Sequence, residues 1–229
     1  MRYVALLVFG VGLFAGGVAV ADSAPNDPAE GFNRKMFAVN QKLQDVERPI
    51  ANVYNKHIPR DFRAGIHNFL HNLEDEPVTL ANCFAQGHFG CVARTSGRII
   101  ANSVLGMGGI GDVAANMGLK AEDTDFDQTL CQYGAGQGAY LVIPVLGSSS
   151  VRGAVGTAVD TVTEPINYAH WQGKTPLDIG LYSATAMDEI SHVGELDDIE
   201  RTSVDAYAAM RSIYLQHTDC AQQKTPADL

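Results

Sequence analysis

The chain has 229 residues with 26 acidic against 16 basic side chains, a formal charge of −10, and 46% of it is apolar. This acidic excess argues against nucleic acid, and against anionic lipid heads held by charge alone, because both are gripped through basic patches and released counterions. The length suits one sizeable hydrophobic core. At the start, Arg2, the apolar run Tyr3–Val20 and Ala19-Val20-Ala21 before Asp22 form the parts of a secretory signal. They predict a leader over 1–21, cleavage after Ala21 and an exported mature chain. Phe14-Ala15-Gly16 approaches a lipid-attachment pattern, but Gly17 stands where the modified cysteine belongs. Export without an N-terminal lipid anchor is therefore the expectation. An oxidising compartment turns Cys83, Cys91, Cys131 and Cys220 toward disulfides, with three pairings open. Cys83 with Cys91 would close a short loop, and Cys131 with Cys220 would tie the tail to the body.

Residues 22–31 are polar and contain proline, and read as a flexible lead-in to a single domain over 32–217. Phe32, Met36, Val39, Leu43 and Val46 recur at helical spacing and predict a helix that ends before Pro49. Asp61 is placed to cap a second helix, with Phe62, Ile66, Phe69, Leu70 and Leu73 on one face. Pro77 opens a third, carrying Val78, Leu80, Ala81 and Phe84. Phe89 to Val104 reads as a fourth, and the short connections suit a helical bundle. From Gly106 to Gly118 a glycine-rich turn feeds a short amphipathic helix over Ile110–Met117. Leu130 to Gly138 reads as a turn or an irregular membrane-facing corner, with a strand over Tyr140–Ile143 as the alternative. Helical period returns over Ser150–Val162, where Gly153, Ala154, Gly156 and Ala158 permit close backbone approach. Another helix runs from Pro176 to about Ile190. A last long one carries Leu196, Ile199, Val204, Tyr207, Met210 and Ile213 to Leu215, with Asp205 and Arg211 off its stripe. Residues 218–229 read as a loose tail. Beyond the leader no stretch reaches the roughly 20 apolar residues of a membrane-spanning helix. The fold class is all-α.

Motifs for chemistry are weak. Gly106-Met107-Gly108-Gly109-Ile110-Gly111 fits G-x-G-x-x-G, but the residues before it read as the end of a helix, where a dinucleotide site needs a buried strand. His67 and His71 share a helical face without the intervening acid or a third ligand of a metal site, and read as surface histidines. Asp123, Asp125 and Asp127 open like a calcium loop, yet Gln128 and Gly134 stand where glycine and a bidentate glutamate belong. A helix-capping acidic loop is the better reading. Ser148-Ser149-Ser150 lacks a nucleophile elbow and reads as a helix-starting turn. The expectation is a protein without enzymatic activity, metal or cofactor.

Five blocks occur in one order: NDPAEGFNRKMFAVN (26–40), NFLHNLEDEP (68–77), RIIANSVLGMGGIGDVA (98–114), FDQTLCQYGAGQGAYLVIPVLGSSSVR (126–152) and SVDAYAAMRSIYLQHTD (203–219). Together they resemble the MlaA, or VacJ, family of bacterial outer-membrane proteins. The resemblance implies a ring-like (doughnut) single helical domain lying in the inner leaflet of the outer membrane, at its periplasmic face. It implies removal of misplaced phospholipids from the outer leaflet through a central amphipathic channel, and their delivery to a soluble periplasmic carrier protein. Association with trimeric porins follows from it as well. The family's usual lipid anchor is the departure here, and the four cysteines of the body look like an addition for stability.

On the implied architecture the glycine turns at 106–111 and 134–138 shape the channel, through Gly106, Gly108, Gly109, Gly134, Gly136 and Gly138. Irregular backbone survives at membrane depth only where protein or a wet cavity satisfies it. Met107, Ile110 and Met117 would face lipid or gate the passage. Arg98, Asp112, Asp127, Arg152 and Arg211 are candidates for internal polar contacts, lining the channel or pairing inside the ring. Moving a charged head past hydrocarbon is costly unless such groups replace water. The competing reading is a non-transporting envelope protein that uses an apolar outer face only to bind a porin. Both require exposed apolar surface; transport alone requires a continuous polar route.

Overall fold

A computed structural model describes residues 26–164, 174–191 and 202–220. The leader, Gly17, residues 192–201 with Leu196 and Ile199, and the tail beyond Cys220 lie outside the described residues.

Helix α1 spans Glu30–His57, with Glu30 in its first turn and Lys56 in its last, each charge complementing the helix dipole. It continues through Pro49, where the sequence predicted an end. An interior proline costs about 3 kcal/mol, and contacts beyond it offset that cost. Asn55 Nδ2 donates to the Ser191 carbonyl at 3.1 Å, and Asn55 Oδ1 accepts from Arg63 at 2.5 Å. The described part of the expected flexible lead-in is in fact built into the fold. Asp27 is buried and accepts from Asn33 Nδ2 at 2.8 Å, and the Asn26 carbonyl accepts from the Tyr140 N–H at 2.7 Å. Polarity alone did not reveal these partners.

Helix α2 (Arg60–Leu70) begins after Pro59, and Asp61 lies within its first turn instead of capping it. One π-helical turn, His71–Asp75, joins it to α3 (Glu76–Ala85), which carries Pro77 near its start. Helix α4 occupies Phe89–Val104, as periodicity indicated. The helix expected over Ile110–Met117 contracts to α5 (Val113–Asn116), capped by Asp112, which accepts from the Ala115 N–H. Asp125 caps α6 (Phe126–Gln132) in the same way, accepting from the Gln128 N–H.

Strands β1 (Tyr140–Ile143) and β2 (Gly147–Ser150) pair antiparallel, with Tyr140 opposite Ser150 and Ile143 opposite Gly147. Among the described residues this hairpin is the exception to a mostly helical fold. Asn33 explains why it forms: its amide donates to the Tyr140 carbonyl at 2.9 Å and accepts from the Val142 N–H at 3.0 Å, satisfying the strand's free edge. Ser148 and Ser149 therefore belong to a strand, and only Ser150 caps α7 (Val151–Thr163). Helix α8 covers Lys174–Ser191. Of the long last helix expected from periodicity, the described part, α9, starts at Ala206, where Asp205 caps it, and runs to His217. Disulfides join Cys83 to Cys91 and Cys131 to Cys220, each with Cα atoms 5.7 Å apart.

Among the described residues the apolar core is small. Its main cluster is Tyr140, Val142 and Tyr207, with Met36, Phe37, Tyr214 and Leu215 against them. Most other large apolar side chains point outward, including Phe32, Val39, Leu43 and Val46 of the first helical stripe.

Candidate functional site

Helix α4 shows how the chain arranges its polarity. Residues 91, 95, 98 and 102 follow a helical spacing and face inward, and all four (Cys91, Thr95, Arg98, Asn102) are buried. The opposite face presents Phe89, Ile100 and Val104, all exposed. The helix is amphipathic with its polar side inward.

Arg98 is 3% exposed and stands at the centre of a network closed around the first glycine turn. Its Nε donates to Oε1 of the wholly buried Glu76 at 2.5 Å, its Nη2 to Asp112 at 3.2 Å, and its Nη1 to the Leu119 carbonyl at 2.7 Å. Asn102 donates to Asp112 at 3.1 Å and accepts from the Ala114 N–H at 2.8 Å. Burial disfavours the Arg98 cation, but the paired carboxylates outweigh it and raise its pKa. Burial also pushes the Asp112 carboxyl up, yet the Ala115 N–H, the Asn102 amide and Arg98 together hold it below the usual range.

Between these anchors the backbone from Gly106 to Gly111 folds tightly on itself. A Cβ at Gly106 would lie 2.2 Å from the Gly111 carbonyl oxygen, and one at Gly109 2.7 Å from Asn72 Cβ. Met107, Gly108 and Gly109 take positive φ of 57°, 79° and 104° in succession. That fold throws Met107 outward, 79% exposed, beside the exposed Leu105 and Ile110, and Met117 is exposed as well.

Asp127 and Arg152 form a second buried pair, with Nε to Oδ1 at 2.7 Å and Nη2 to Oδ2 at 3.0 Å. Arg152 also donates to the Ala135 carbonyl at 3.1 Å and the Thr218 carbonyl at 2.7 Å, fixing the second glycine turn and the end of α9. Gly134 and Gly138 take positive φ there, and a Cβ at Gly138 would meet Val151 at 3.0 Å; Gly136 has open space. Arg211 belongs to a third place. Its Nη1 donates to Asp27 at 3.0 Å, Tyr207 donates its hydroxyl to the same carboxylate, and the guanidinium of Arg34 lies 4.4 Å over the Tyr207 ring.

The predicted site residues thus gather in three separate clusters. Arg98 joins Asp112 at one glycine turn, Arg152 joins Asp127 at the other, and Arg211 pairs apart from both. Sequence reasoning did not single out Glu76, Asn102, Asn33 or Asp27, although all lie within the blocks quoted above. Their neighbours are remote in sequence, so spacing alone gave no signal. His67 Nδ1 lies 2.8 Å from a carboxylate oxygen of Asp188, which accepts from it, and His71 lies 3.6 Å from Glu76. Among the described residues no group of three or more His, Cys, Asp or Glu is arranged to hold a metal. None of the described helices is long and apolar enough to cross a membrane.

The profile of the MlaA lipoprotein family matches residues 25–221. The chain belongs to the MlaA family. It is 34% identical over 201 residues to the intermembrane phospholipid transport system lipoprotein MlaA of Shigella flexneri, covering 85% of this chain and 77% of that one. The protein of that name from Escherichia coli K12 gives the same identity and coverage. That of Haemophilus influenzae is 30% identical over 200 residues, covering 85% and 78%. A solved structure from work on the structural basis for maintenance of bacterial outer membrane lipid asymmetry superposes with a TM-score of 0.71 at 34% identity. It covers 85% of this chain and 98% of its own. MlaA membership and the helical fold therefore agree.

Proposed function

We propose that this MlaA-family chain traffics phospholipids between membranes. It takes mislocalised phospholipids from the outer leaflet of the outer membrane and passes them through an amphipathic channel ringed by its helices. A soluble periplasmic carrier receives them, and the lipid asymmetry of the membrane is maintained without any chemical step. The chain is exported, sits in the inner leaflet at the periplasmic face, and is held beside trimeric porins through its apolar exterior.

The reversed burial is the observation that carries this reading. Glu76, Arg98, Asn102, Asp127 and Arg152 are inside, while Phe32, Phe89, Ile100, Val104 and Met107 are outside. In water that arrangement is unfavourable. Inside one leaflet it is not, because acyl chains solvate the exterior and fixed interior dipoles replace the water a lipid head gives up. The two glycine turns, one tied through Arg98 to buried Glu76 and partly exposed Asp112 and the other to the buried Arg152–Asp127 pair, are the natural walls of such a passage.

Deleting the gene is expected to raise outer-leaflet phospholipid, measured by labelling surface-accessible phosphatidylethanolamine amines on intact cells, and to increase sensitivity to detergent. Both effects should reverse on complementation. Unchanged labelling in the deletion strain would defeat the transport reading.

A further inference from the structure

The corner between α3 and α4 is closed by the Cys83–Cys91 disulfide, whose cysteines are buried. The phenylalanines beside them are not: Phe84 is 69% and Phe89 71% exposed. The corner's backbone is held from below by the buried Gln86, which donates to the Thr124 and Thr129 hydroxyls at 2.8 and 2.9 Å. Tyr133, also exposed, leans on the corner and donates its hydroxyl to the Ala85 carbonyl at 2.7 Å. From Pro77 to Ala93 the sequence has no Asp, Glu, Lys or Arg. Phe89 then begins the outward face of α4, which continues through Ala93, Ile100 and Val104 to Met107. The corner is thus one end of an uncharged outward strip about 24 Å long, in which Ala93, Ser96 and Gly97 separate Phe89 from Ile100 and Val104.

We propose that this disulfide-closed corner is a membrane foot, with Phe84 and Phe89 inserted at the acyl-chain boundary of a phospholipid leaflet and Tyr133 at the level of the head groups. The inference rests on the membrane-seated reading of α4 given above and adds a specific point of insertion. A lipid surface fits better than a protein partner. A protein interface sets its register through a polar rim and fixed hydrogen bonds, whereas here two rings project from a segment free of Asp, Glu, Lys and Arg whose Thr79, Asn82 and Gln86 side chains hydrogen-bond within the chain. Aromatic rings favour the membrane interface, where an apolar body and a polar tip are both satisfied. The disulfide orders the corner before it binds, so that little conformational freedom is lost on insertion.

Full-length oxidised protein carrying Phe84→Trp in a Trp171→Phe background provides a single reporter. It is mixed with phosphatidylethanolamine and phosphatidylglycerol vesicles brominated at defined acyl depths. The reporter's emission is expected to shift to the blue and to be quenched most by the shallow bromines. The paired variant Phe84→Ser and Phe89→Ser should partition into vesicles about a hundredfold less while keeping its helical circular dichroism. Cys83→Ser with Cys91→Ser should weaken the quenching; if that variant does not fold, the phenylalanine pair decides the matter alone. A reporter that stays in water on vesicle-bound protein, or a serine pair that partitions like wild type, overturns the foot while leaving the membrane-seated reading intact. Wild-type protein that ignores vesicles altogether overturns both.

Discussion

Arg98 and Glu76 illustrate why interior charge has to be paired. Arg98→Met is expected to destabilise the protein by about 3–5 kcal/mol, since it strands a wholly buried carboxylate. Adding Glu76→Gln should recover part of that loss, because both charges are then gone. Urea unfolding in a fixed micelle concentration measures both effects, and a single-variant cost near zero would show the pair to be solvated. At the surface, Asp205 is held at about 2 by hydrogen bonds from Arg34 first and from the Ala208 N–H second. A carboxyl lowered in the folded state binds fewer protons there than in the unfolded chain. Its stabilisation is complete above the unfolded pKa near ~4 and is lost as pH falls through the folded value. Wild type should therefore lose more stability than Asp205→Asn between about pH 4 and pH 2. The difference will be modest, because the pair is well exposed to water. At this scale the sequence revealed which side chains were candidates for interior polarity but not their partners. Arg98 meets Glu76 across 22 residues and Arg211 meets Asp27 across 184, distances that only a folded chain closes.

Elements depend on where the backbone itself is crowded. Gly106→Ala would drive a methyl group into two carbonyl oxygens, at 2.2 and 2.5 Å, and is expected to cost 3 kcal/mol or more. Gly108→Ala meets open space but keeps a φ of 79°, for a loss of about 1–2 kcal/mol. Gly136→Ala has neither problem and should be neutral or gain roughly 0.5 kcal/mol. Thermal melts of the three variants under one condition give the ordering. A uniform response would mean that the Gly106–Gly111 turn is not built as described. Most helices were legible because their ends carry local signals, such as Pro77 near the start of α3 and Asp125 and Ser150 at their caps. The continuation of α1 past Pro49 was not, since contacts from Ser191 and Arg63 decide it.

For the whole molecule, a small apolar core beside an apolar exterior means that the surroundings contribute to stability. The melting temperature is expected to rise by several degrees as lipid or mild detergent is added, because amphiphiles bind the folded exterior in preference to the unfolded chain. A melt indifferent to amphiphile across its critical concentration would contradict an outward-facing lipid surface. By itself the sequence determined the helical class, the family, and the periodic placing of apolar and polar residues, because these are written at short range in spacing and in turn chemistry. Tertiary structure alone decided which side of each stripe faces inward. Periodicity marks two faces of a helix without saying which one meets solvent, and the choice falls to partners such as Glu76 for Arg98 and Asn33 for the edge of β1, brought together from distant parts of the chain.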